Sequence, residues 1–266
     1  MKYFVNILLL PLLFLGVFAS QYFFDINKEK QSKPSPYVLG AEVVEATDLG
    51  LDSAASSLYW LSAIQYYGDW QEDEFIKLID YIKLSTDLDP KFSYPYAFGA
   101  LMLPSLGYVD ESIEIAKKGV VESDPDWRIP YYLATTYHIN KNDQESAAKY
   151  FAIAADTKGA PESIIKISAT YGSNPNLREQ TKQIWIGIME TSDDEVVRKR
   201  AEAYVYHYEI LDLLEEAGKI YFEAYEAYPK ELSSLVEAGI LKAIPISPFD
   251  FEYYIDEEGR ARIKSK

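Results

Sequence analysis

The chain has 266 residues, no cysteine, 48% apolar content and a formal net charge of −16. That much apolar material over this length builds a core rather than a disordered chain, and the missing thiol excludes disulfides, thiolate metal sites, a cysteine nucleophile and a lipoprotein-type anchor. The acidic field repels phosphate backbones and anionic lipid surfaces, so nucleic acid is excluded as a partner and basic protein patches are favoured, although an ordinary solvated helical surface also gives an acidic total.

Met1-Lys2 precede an apolar run from Tyr3 to Ala19, broken by Asn6 and Pro11 and extended by Tyr22-Phe23-Phe24. The stretch 3–24 is near the ~20 residues of a spanning helix, with its aromatics suited to an interface. It reads as a single-pass signal anchor (1–24) with the bulk outside the cytoplasm. Val17-Phe18-Ala19 before Ser20 supplies the alternative of a cleaved signal and a secreted product. Lys2 on one side and Lys28, Lys30 and Lys33 on the other leave the inverted orientation open. Residues 25–50 read as linker and lead-in, with Gln31 to Pro36 extended because Pro34 and Pro36 forbid a helix.

From 51 to 161 the chain repeats. Pro90, Pro125 and Pro161 each close a helical stretch, 35 and 36 residues apart, near the 34-residue period of one class of helix–turn–helix repeat. A small, bulky, small triplet at spacings of four and three recurs within the units. It runs as Ala147, Phe151 and Ala154, as Ser112, Ala116 and Gly119, and with altered sizes as Phe75, Ile79 and Ile82. Small residues let paired helices approach, and the bulky one fills the gap to the next pair. The first helices carry mixed aromatic and small clusters: Tyr59, Trp60, Ala63, Tyr66 and Tyr67, then Tyr94, Tyr96, Ala97 and Gly99, then Tyr131, Tyr132, Ala134 and Tyr137.

The segment Tyr59-Trp60-Leu61-Ser62-Ala63-Ile64-Gln65-Tyr66-Tyr67-Gly68 resembles the first helix of membrane-anchored bacterial tetratricopeptide-repeat proteins, as do Asp87 to Pro90, Asp126 to Tyr132, and Gly159 to Pro161. The resemblance runs from the anchor to the carboxyl end and is clearest from Leu58 to Glu162. It implies an all-α solenoid of helical hairpins, three repeats over 51–161, a single anchor and a scaffolding role, with no catalytic residue.

Residues 162–243 read as further helices and caps. Glu162 to Tyr171 and Leu177 to Glu190 suit helices, the second with Trp185, Ile186 and Met189 inward. Thr191 to Glu195 is a helix-start cluster of hydroxyls and carboxylates. Glu195 to Tyr228 reads as one long amphipathic helix, or as a pair hinged near Gly218. Glu231 to Ala238 gives a short helix. In the tail at 244–266, Phe251, Tyr253 and Ile255, a turn at Asp256 to Gly259, and Ala261 and Ile263 predict a β-hairpin packed on the last helices, or else an edge for strand addition.

Chemistry is sparse. His138 and His207 lack a second ligand at metal spacing and read as surface or helix-face residues, and Asp256 to Gly259 lacks the alternating oxygens of a calcium loop. The acidic pairs Asp73/Glu74 and Asp193/Asp194 fit capping charges better than acid–base work on a glycan. No metal or cofactor is expected. By register Gln65, Tyr132, Thr136 and Asn140 line a concave groove where a protein partner binds, and no basic clamp for a peptide carboxylate is visible. The expectation is a membrane-anchored scaffold for envelope proteins, in the manner of a secretion or pilus-like assembly. The alternatives are an enzyme or ligand-binder acting on cell-wall glycan, and a homo-oligomer stacked through the long carboxyl-terminal helices.

Overall fold

The computed structural model describes residues 16–20, 22, 38, 40–47, 49–68 and 75–265. The chain divides into two units, Met1–Val38 and Leu39–Lys266. Of the first, residues 16–20 and 22 are helical, with Val17, Phe18 and Tyr22 exposed. The rest of the expected anchor at 3–24 and the linker Gln31 to Pro36 lie outside the described residues, as do Asp73 and Glu74. Among the described residues no helix is long and apolar enough to cross a membrane.

The second unit is mostly helical and ends in a two-stranded antiparallel sheet. In chain order its helices are α1 (Ala41–Glu45), α2 (Asp52–Gly68), α3 (Ile76–Leu88), α4 (Ser93–Met102), α5 (Val109–Glu122) and α6 (Arg128–Thr136). Then follow α7 (Gln144–Asp156), α8 (Glu162–Gly172), α9 (Arg178–Thr191), α10 (Glu195–Tyr225) and α11 (Ser233–Glu237), with strands β1 (Phe251–Ile255) and β2 (Ala261–Ser265). α3, α5 and α7 stop at or just before the segments that carry Pro90, Pro125 and Pro161, since proline has no N–H to donate and bars the α conformation from the residue before it. Asp143 and Asp194 cap α7 and α10, accepting from Ser146 N at 3.0 Å and Val196 N at 2.8 Å. The Asp193/Asp194 cluster therefore starts a helix. The segment 25–50, read as linker and lead-in, contains α1, whose Val44 is buried.

The helices pack as consecutive pairs: α2 on α3, α4 on α5, α6 on α7, and α9 on α10. Each of the first three pairs touches the next, with α4 against both α3 and α6, and α7 continuing onto α8. The recurring triplets do this packing. Ala147, Phe151, Ala154, Ser112, Ala116, Gly119, Ile79 and Ile82 are all buried, and Phe75 is half-buried. Gly119 lies so close to Tyr96 that a Cβ there would sit 2.7 Å from the tyrosine Cβ. Ion pairs repeat with the architecture: Lys83–Glu114, Lys118–Asp87 and Lys141–Asp110 each join residues 31 apart. They are exposed and stabilise little, so they report the register between pairs more than they set it.

The carboxyl-terminal core gathers α7 to α10, the segment around Leu235 and the hairpin. Trp185 and Tyr204 are fully buried and stack with centroids 3.8 Å apart at 8°. α10 runs 31 residues without a hinge. Gly218 instead gives room to the hairpin, because a Cβ there would come 3.0 Å from Ile255 Cδ1. β1 pairs with β2 in the register Tyr253↔Ile263, and its burial alternates as the sequence predicts, with Phe251, Tyr253 and Ile255 inward. Asp256 holds the turn by accepting from Glu258 N at 3.0 Å and Arg260 N at 2.8 Å, so its carboxylate serves the hairpin.

Gly119→Ala is expected to destabilise the second unit by about 1–3 kcal/mol through overpacking. Gly187→Ala, in a helix with nothing within 4 Å of its added methyl, is expected to stabilise it by roughly 0.5–1 kcal/mol. Urea unfolding midpoints check both, and equal effects at the two positions would contradict the close approach at Gly119.

Candidate functional site

The residues picked by register converge in part. A cleft of about 250 Å³ opens between α4 and α6, and Tyr132, Thr136 and Asn140 line it together with Leu101, Pro104 and Ile139. Gln65 is exposed on α2 beside the exposed Leu61 and Ile64, and does not line the cleft.

Both walls arise where α-helical hydrogen bonding changes step. α4 tightens into a 3₁₀ turn, Leu103–Leu106, which carries Pro104 and ends at Gly107 with φ 92°. Tyr108 N donates back to Leu103 O at 3.0 Å, and the buried Ser112 Oγ donates to Ala100 O at 3.2 Å, which fixes this wall to α5. Opposite, α6 widens into a π turn, Tyr137–Lys141, closed by Asn142 at φ 51°. Asp143 N donates to Tyr137 O at 3.0 Å. Tyr137 is buried, stacked on Tyr150 at 5.7 Å and 2°, with the Lys117 ammonium 5.6 Å from its ring centroid. Isolated π turns are rare and recur at functional positions. This one turns Ile139 and Asn140 out to solvent at the cleft rim.

Tyr132 is half-buried, and its ring lies 5.5 Å from Tyr131, which itself lies 5.9 Å from Phe151. The bulky residue of the third triplet thus supports the cleft tyrosine through one intervening ring. Thr136 lines the cleft from its floor: it is 3% exposed, and its hydroxyl donates to Tyr132 O at 3.0 Å. Thr135 bonds Tyr131 O in the same way. Helical back-bonding already uses both hydroxyls, which leaves an apolar rim of Leu101 and Ile139, the Tyr132 ring and the Asn140 amide. The lining holds no carboxylate, amine or imidazole. Its volume is below the roughly 300–1,000 Å³ of small-molecule sites and suits one large side chain of a protein partner.

A wider cleft of about 540 Å³ lies at the carboxyl-terminal end, between Lys230–Ser233, Ile244–Ser247 and β1. Its carboxylates Glu231, Asp250 and Glu252 are all exposed.

The histidines separate. His138 is exposed, with Nδ1 3.0 Å from the Tyr171 hydroxyl. His207 is fully buried, on the inward face of α10, which leaves the helix-face reading and removes the surface one. Ser173 Oγ donates to Ala169 O at 2.7 Å, so it accepts from His207 Nε2 at 2.8 Å, and His207 Nδ1 accepts from the Tyr253 hydroxyl at 2.8 Å. Burial, with the Arg178 charge adding to it, lowers the His207 pKa from 6.5 to about 3. Arg178 is itself buried against Glu215 at 3.1 Å and Asp212 at 3.2 Å, and it donates to Ala261 O at 3.1 Å. His207 and Arg178 are buried while Asp212 reaches solvent, and the cluster joins α8, α9, α10 and the hairpin. Sequence alone carried no signal for it beyond an imidazole on the inward stripe of α10. The 3₁₀ wall was not anticipated either, although Pro104 and Gly107 carry a signal for it.

Among the described residues no group of three or more His, Asp or Glu side chains is placed to hold a metal ion. No family model matches the chain, and neither does any curated protein or solved structure.

A buried neutral histidine makes stability depend on pH. The unfolded chain takes up a proton below pH ~6.5 that the folded chain refuses until about pH 3, so His207 lowers stability progressively as pH falls through that window. Between pH 7 and pH 5 the loss from this group is expected to be about 2 kcal/mol. The check is urea unfolding of the parent and His207→Gln across this range. The parent should lose more stability than the variant, and parallel slopes would show that His207 titrates normally.

Proposed function

We propose that this chain is a membrane-anchored scaffold of the tetratricopeptide type, which holds a segment of an envelope protein on the face formed by the first helices of its successive pairs. The anchor is the stretch 3–24, and the bulk lies outside the cytoplasm. The consecutive packing of helix pairs with a recurring 31-residue cross-link supports a solenoid of hairpins. The observation that carries the binding assignment is the cleft between α4 and α6, where Tyr132 and Asn140 meet the exposed Leu101 and Ile139.

An amphipathic ring with an apolar rim and no ionisable neighbour other than itself suits capture of one aromatic or aliphatic anchor side chain. The same lining lacks the paired carboxylates needed to cleave a glycan, which weighs against the enzymatic alternative. Because Thr136 is buried and its hydroxyl already bonded, the partner reads Tyr132 and Ile139 in its place.

Crosslinking in the native host, followed by purification on a carboxyl-terminal tag, is expected to recover a consistent set of envelope proteins. Tyr132→Ala with Ile139→Ser should lower that recovery roughly tenfold or more, the scale of a hot-spot loss, with the urea midpoint nearly unchanged. Recovery that survives both substitutions would remove the cleft from the binding site, and recovery of the chain alone would favour self-assembly.

A further inference from the structure

α10 carries an apolar ridge on its outer face that the fold leaves uncovered. Tyr206, Leu213 and Ile220 are 50%, 49% and 47% exposed and stand seven residues apart. Such positions fall on one side of a helix, drifting only about 20° per heptad. Glu202, Glu209, Glu216 and Glu223 interleave with them at alternating steps of four and three, and all four are exposed. The ridge thus alternates acidic and apolar residues over seven consecutive contact positions, roughly 32 Å of helix. Tyr204, Tyr208 and Leu211 bury the opposite face in the core, and the buried Ile210 and Ala217 flank the ridge on one side, so it runs along the border of the packed face.

We infer that this ridge docks a helix of another protein, one that presents apolar side chains seven apart with lysine or arginine at the intervening positions. The apolar residues fill one of the two positions of a coiled-coil repeat and glutamates fill the other, so a partner helix would meet them with alternating apolar and basic side chains. Charge decides which helix. Glu216 has Lys219 at 3.5 Å, while Glu202, Glu209 and Glu223 form no ion pair among the described residues, which leaves the seam acidic along its length. A second copy of this chain would oppose four glutamates with four glutamates, a like-charge juxtaposition that disfavours pairing. A membrane surface is disfavoured too, since helices that lie on anionic lipid carry lysine and arginine on the polar face. This surface is separate from the α4–α6 cleft, so its test succeeds or fails independently of that assignment.

The probe is a labelled synthetic 28-residue helix with leucines seven apart and lysines between them, titrated into the full chain and followed by fluorescence anisotropy. A helix with glutamates in place of the lysines is the control. Saturable binding of the lysine helix alone is expected. Leu213→Ser with Ile220→Ser should weaken it roughly tenfold or more, and Glu209→Lys with Glu216→Lys should transfer preference to the glutamate helix. Absence of saturable binding would overturn the inference. Equal binding to parent and both variants would do so too, because it would reduce the effect to diffuse attraction by a chain of net charge −16. Sedimentation velocity supplies the last arm: a dimer of the full chain that Leu213→Ser with Ile220→Ser dissolves would assign the ridge to self-association.

Discussion

The carboxyl-terminal half is organised around one buried charge. Arg178 lies at the start of α9 with almost no exposure, and its guanidinium reaches Glu215 and Asp212 on α10 and the carbonyl of Ala261 on β2. Glu215 in turn accepts from Ala261 N at 3.1 Å, so one ion pair satisfies both backbone groups of that residue. Arg178 is the dry member of the group, and leaving its charge without a carboxylate would cost about 3–5 kcal/mol. The arrangement specifies where the hairpin sits, which apolar contact alone does not do. His207 adds the same kind of constraint one layer away, linking the end of α8 to β1 through Ser173 and Tyr253. Both groups are directional, and both require the hairpin to lie in one place along α10.

The amino-terminal pairs use a different device. There the constraint is steric: small residues set how near the helices come, and aromatic rings fill the space between one pair and the next. Gly119 against Tyr96 is the closest case, and Trp60 with Phe98, 5.1 Å between centroids, joins α2 to α4. Such packing is rigid enough to hold two departures from α geometry, the 3₁₀ turn after α4 and the π turn after α6. The cleft exists because these departures face each other.

The two outward-facing surfaces differ in chemistry and therefore in the partners they suit. The cleft offers an aromatic ring and aliphatic rim without charge, a setting for one anchoring side chain. The α10 ridge offers a long, acidic, heptad-spaced seam, a setting for a whole helix.

Much of this architecture was legible from residues alone. Proline positions marked the helix ends because proline cannot donate into the helix. The four-and-three triplets marked the buried faces because helical neighbours share a side. Alternation in Phe251 to Ile263 marked the hairpin because strand side chains switch faces at every step. These are local rules, and they depend only on the chain's own geometry. What they could not decide was where distant segments meet. Gly218 left one long helix and a hinged pair both open, which the packing of Ile255 against it decides, and His207 could lie on the surface or on an inner helix face, which Ser173 and Tyr253 on either side decide. Thr136 fell on the groove side by register but turned its hydroxyl to the backbone, and the π turn carried Ile139 to the rim in its place. The sequence by itself determined which segments are helix or strand and which face of each is apolar. Tertiary packing alone decided which polar groups are dry and which apolar ones remain wet, because burial depends on contacts between residues far apart in the chain.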